Sequence, residues 1–248
     1  MADYNSYRTA QGAGIRTAAV DAGLRAYMNK VYGLMSVGML VTAIASWGIS
    51  TAAVDSTGQL TQLGTAIYTS PLKWVIMFAP LLVVFAFGAA LNRLSVSAAT
   101  LLFYGFAALM GVSISWIFLQ FTGVSIIQTF LVTAISFAGL SLYGYTTKRD
   151  LRPMGTFLLM GLIGLIVASI VNIFLQSSAF QFAISVIGLL IFAGLTAFDT
   201  QNIKNTYLSM AGSDSDFLGK SAIMGALQLY LDFLNLFMFL LQFMGNRE

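Results

Sequence analysis

The chain has 248 residues, 58% of them hydrophobic and only 8% charged, with a mean hydropathy of +0.85. A soluble domain carries about 25% charged residues, so this surface faces lipid, and the length fits about six to eight spans of roughly 20 residues, leaving almost nothing for an extramembrane domain. The absence of cysteine and histidine excludes disulfides, thiol nucleophiles and zinc sites; the net charge of +3 reads as loop bias in a membrane protein and argues against nucleic acid as a partner.

Residues 1–30 carry Arg8, Arg16, Arg25 and Lys30 among small residues. They read as a polar cytoplasmic N-tail, too long for a signal peptide and without a cleavage site. Residues 31–248 read as a single seven-helix transmembrane domain. Its apolar runs cover 31–53, 74–91, 98–119, 126–145, 154–175, 180–200 and 222–244, each long enough to span a bilayer. In lipid the backbone must satisfy its own polar groups, so the expected fold is all-α: an integral membrane bundle of seven transmembrane helices.

Lys and Arg counts set the expected orientation. The tail, the turn at Arg93, the loop with Lys148, Arg149 and Arg152, and the loop with Lys204 and Lys220 all fall on one side. Only Lys73 and Arg247 fall on the other. The N-terminus is therefore expected in the cytoplasm and the C-terminus outside. Asn172 and Gln242 are expected to serve hydrogen bonds between helices.

Asp199, in the sixth run, and Asp232, in the seventh, are the only acidic residues within any run. A charge near the bilayer centre costs roughly 3 kcal/mol or more, which makes each a functional-site candidate. Gln228, Asp232 and Asn235 fall at i, i+4 and i+7, one polar stripe on an apolar helix. Consecutive antiparallel helices would let the two carboxyls meet, and such a pair titrates as a unit. A hard cation would compete with the proton, with Thr200, Gln201 and Asn235 as further oxygen donors. A hard divalent cation such as Ca²⁺ is the kind of ion that could compete with the proton at Asp199 and Asp232; no cofactor is expected. The bland alternative is that each Asp bonds to its neighbours and locks the bundle. An intramembrane aspartyl protease would also place Asp residues on consecutive spans, but the stretch Leu229-Tyr-Leu-Asp232 is too bulky for its Gly-x-Gly-Asp motif, and no enzymatic activity is expected.

Four stretches carry a resemblance to a known family. They are Leu195-Thr-Ala-Phe-Asp-Thr-Gln-Asn-Ile-Lys204, Leu229-Tyr-Leu-Asp-Phe-Leu-Asn-Leu-Phe237, Ser141-Leu-Tyr-Gly-Tyr-Thr-Thr-Lys-Arg-Asp-Leu151 and Arg25-Ala-Tyr-Met-Asn-Lys-Val-Tyr-Gly33. In these the chain resembles the Bax inhibitor motif family, in particular its bacterial branch. The resemblance implies seven helices with the last one central, in the bacterial inner (plasma) membrane. It also implies a pH-sensitive calcium leak whose di-aspartyl sensor maps onto Asp199 and Asp232. The family's usual Tyr before the first Asp is Phe198 here. Some members use an acidic residue of the second span in a latch; this chain has none there, so a latch through Arg93 lacks its counterpart. Bacterial members are linked to a membrane-bound AAA protease. That names a candidate partner besides lipid, Ca²⁺ and protons, and an alternative role as a non-transporting regulator of such a protease or of a stress response.

Overall fold

The computed structural model describes residues 3–91, 93–210 and 214–247. Seven long helices follow one another: α1 Asp3–Ala53, α2 Leu72–Leu91, α3 Val96–Ile114, α4 Gly123–Thr146, α5 Arg152–Leu175, α6 Ser178–Met210 and α7 Ser215–Met244. All seven are long and apolar enough to cross a membrane, α3 together with the one-turn helix Ile117–Gln120. Each apolar run of the sequence lies inside one of them, except that the third runs past α3 into the one-turn helix.

Several helices outrun the apolar stretch that announces them. α1 continues without a break on the N-terminal side of residue 31, and Leu24, Tyr27 and Met28 are buried there. α6 passes residue 200 and runs on to Met210, so the expected loop with Lys204 and Lys220 is helix on both sides. The reason is periodicity. Polar residues lower the hydropathy beyond Thr200, yet Ile203 and Tyr207, one turn apart, stay buried, with the Tyr207 ring 5.0 Å from that of Tyr27. One apolar stripe is enough to hold a helix against its neighbours.

The core gathers on α7. Of its apolar window, 67% is buried, against 17–33% in the other six spans. α7 packs against α1, α3, α4 and α6, whereas α2 packs on α3 and α5 on α6. Tyr230 of α7 is fully buried. Its hydroxyl lies 2.6 Å from Thr42 Oγ1 of α1, and the Phe103 and Phe106 rings of α3 meet it edge-on.

Charge separates the two ends of the bundle. One end, called the basic end below, carries Arg25, Arg93, Lys148, Arg149, Arg152, Lys204 and Lys220. The opposite end is held by amides: Asn172 donates to Gln181 (2.9 Å) and Gln181 to Gln242 (2.9 Å), joining α5, α6 and α7 as interhelical hydrogen bonds. There the α1–α2 connection turns on Asp55, with Gly58 at a left-handed φ of 80°, a conformation glycine adopts without steric cost.

Candidate functional site

Asp199 and Asp232 meet. Their side chains face each other at hydrogen-bonding range between α6 and α7. Asp232 is buried at 4% exposure and Asp199 is half-buried. The helix lengths allow this encounter. α6 extends about 16 Å past Asp199 and α7 begins about 25 Å before Asp232, at 1.5 Å per residue, so both carboxyls lie well inside the helix pair rather than at its tip. A close crossing of α4 on α6 sits beside them. At Gly144 a Cβ would strike the backbone carbonyl of Ala197, so only glycine permits this approach.

The pair receives few donors. Among the described residues Asp232 Oδ2 is buried with no hydrogen-bond partner, and the side chain it faces is another carboxyl. A carboxylate accepts but cannot donate. The contact is therefore satisfied only when a proton, or a cation, lies between the two groups.

The other polar residues singled out from sequence are placed as follows. Asn235 donates to its own helix, to the Leu231 carbonyl at 2.8 Å. Gln201 is turned to the loop ahead of α5, accepting from Leu151 N (2.8 Å) and donating to the Arg149 carbonyl (2.7 Å). Thr200 donates to the Thr196 carbonyl (2.8 Å) and lies 2.9 Å from Ser141 Oγ. Gln228 is half-buried and has no side-chain hydrogen bond among the described residues. Arg93 is exposed at the α2–α3 turn and joins no salt bridge among the described residues. Phe198 lies against Gly155 of α5. The structure thus brings the two aspartates together, while Thr200, Gln201 and Asn235 bond elsewhere. Among the described residues, no group of three or more acidic, His or Cys side chains gathers to hold a metal.

Sequence reasoning missed the hydroxyl chain that leads away from the site. Tyr32 OH of α1 lies 2.6 Å from Ser141 Oγ of α4, which in turn reaches Thr200 of α6. Thr196 and Thr200 at i and i+4 were the available signal, but small hydroxyls in apolar helices usually bond back to their own carbonyls and carry little information about partners across the bundle.

Fold and site together define a multi-pass helical membrane protein with an intramembrane carboxyl pair. Comparison with known proteins gives the family. The family model described as "Inhibitor of apoptosis-promoting Bax1" matches residues 24–248, and the chain belongs to this Bax inhibitor motif family. A protein of Caulobacter vibrioides is 45% identical across the full length of both chains, and one of Rickettsia prowazekii is 43% identical, also across both in full. The inner membrane protein YbhL of Escherichia coli is 43% identical over 92% of this chain and 94% of its own.

Proposed function

We propose that this chain is a proton-regulated calcium leak of the bacterial inner membrane, with Asp199 and Asp232 as sensor and part of the ion path. The observation that carries the reading is the buried Asp232 carboxyl, one oxygen unpartnered among the described residues, facing a second carboxyl. Two carboxylates in contact in a largely buried site do not both ionise readily. They bind one proton between them, or a hard cation replaces it, and the two occupants compete. Loss of the shared proton sets like charges against each other across the α6–α7 contact, a local change that biases how these helices pack. The basic end faces the cytoplasm under this reading, following the positive-inside rule.

Calcium flux into proteoliposomes across about pH 6 to 8, with wild type beside Asp199→Asn and Asp232→Asn, tests the proposal. A pH-dependent flux in wild type, flattened in both variants, is expected. A full pH response in both variants would remove the pair as sensor, and no flux above empty liposomes would leave the chain a non-transporting regulator.

A further inference from the structure

A second feature lies on the lipid-facing side, between α1 and α4. These two helices lean apart and leave a groove of about 960 Å³, floored by Phe233 of α7. Its walls are mostly hydrocarbon and thioether, Met35 and Met39 on α1 and Phe130 and Phe137 on α4, with the hydroxyls of Tyr32, Ser36 and Ser141 among them. Its rims are open, with Leu40 and Leu142 each 62% exposed. Methionines make such a wall adaptable to a flexible chain.

The two ends of the groove differ. At the basic end its lining holds Arg25 and Asn29, both exposed, and Tyr145. Arg25 is the single charged side chain of the lining and joins no salt bridge among the described residues. Lys204 stands behind Tyr145, its Nζ 5.3 Å from the ring centroid. Toward the middle of the bundle the lining becomes apolar. A cationic mouth at the membrane surface opening into a hydrocarbon slot matches a molecule with an anionic head and a long apolar tail.

We propose that this groove holds one anionic phospholipid, its phosphate on Arg25 and Asn29 and one acyl chain laid along Met35, Met39 and Phe137. Charge complementarity selects the head, and burial of the chain against these side chains supplies the remainder. The assignment stands independently of calcium transport. It also gives the hydroxyl chain a place, because Tyr32 and Ser141 line the groove and Ser141 reaches Thr200, the neighbour of Asp199.

The test is native mass spectrometry of the full-length protein released from nanodiscs containing equal phosphatidylglycerol and phosphatidylcholine. Wild type should retain one lipid with phosphatidylglycerol favoured about fivefold, the effect of one cation near the membrane surface. Arg25→Gln should keep one lipid but lose the preference. Ala138→Trp, which fills the slot from its exposed rim, should lose the lipid. Crosslinking wild type with phosphatidylglycerol carrying a photoreactive acyl chain needs no variant, and should label residues 28–43 and 130–142. Equal retention of the two lipids by wild type, an unchanged preference in Arg25→Gln, or labels spread evenly over every lipid-facing helix would each overturn the proposal.

Discussion

At the turn after α1, the Asp55 carboxyl sits in water and still collects three protein donors: Thr57 N (2.8 Å), Thr57 Oγ1 (2.6 Å) and Gln59 N (3.0 Å), all on one oxygen. Asp232 lies inside the bundle, where donors are needed most, and its Oδ2 has none among the described residues. A protein that uses a carboxylate as a structural fastener surrounds it with donors, as the Asp55 turn does. Facing a buried acid with a second carboxyl supplies no fixed donor. It leaves the acid dependent on a proton or cation that can be exchanged, which is what a sensor requires. The contrast argues against reading Asp199 and Asp232 as a lock for the bundle.

The framework around the pair is the place to break this contrast with the largest effect. Gly144→Val drives a side chain into the Ala197 carbonyl. It should destabilise the protein by about 1–3 kcal/mol, as overpacking does, while Gly139→Val, where an added Cβ faces open space among the described residues, should stay within about 0.5 kcal/mol. Thermal melts of the purified protein read both. A smaller effect is expected at the hydroxyl chain. Ser141→Ala removes the centre of the Tyr32–Ser141–Thr200 link and should cost about 1 kcal/mol. Tyr32→Phe, which removes only one end, should cost less.

The smallest effect belongs to the exposed turn. Hydrogen bonds from the Thr57 hydroxyl, then from the Gln59 and Thr57 amides, hold the Asp55 carboxyl below its ordinary value. A depressed value contributes stability that is complete above the ordinary carboxylate range and drains away as pH falls through the lowered one. Nothing in the turn titrates near neutrality, and Asp150, held low by its Arg152 partner at the opposite end, behaves alike. Asp55→Asn should therefore leave any pH profile of flux between about pH 6 and 8 unaltered. A shifted profile in that variant would mean that the exposed acids take part in the response.

Much of this was legible in the sequence. Hydropathy marks all seven helices because a span must be apolar over its length, and the cost of burying a charge singles out Asp199 and Asp232. Hydropathy fails at the helix ends. It averages over composition and so misses that Ile203 and Tyr207 keep α6 packed beyond its apolar run. Where the supporting polar side chains bond was not legible, for a different reason. A stripe such as Gln228, Asp232 and Asn235 shows which face is polar, but not whether an amide bonds across to another helix, down to its own carbonyl like Asn235, or out to a loop like Gln201. The α1–α4 groove was not visible at all, since it arises from two helices standing apart.

Infrared difference spectroscopy of the full-length protein in lipid, between about pH 6 and 8, tests most directly whether the pair exchanges a proton near neutrality. A protonated-carboxyl stretch that changes across this interval in wild type, and is absent from the Asp199→Asn, Asp232→Asn double variant, is the predicted result. A spectrum without any carboxyl change, or one that persists in the double variant, would contradict the account.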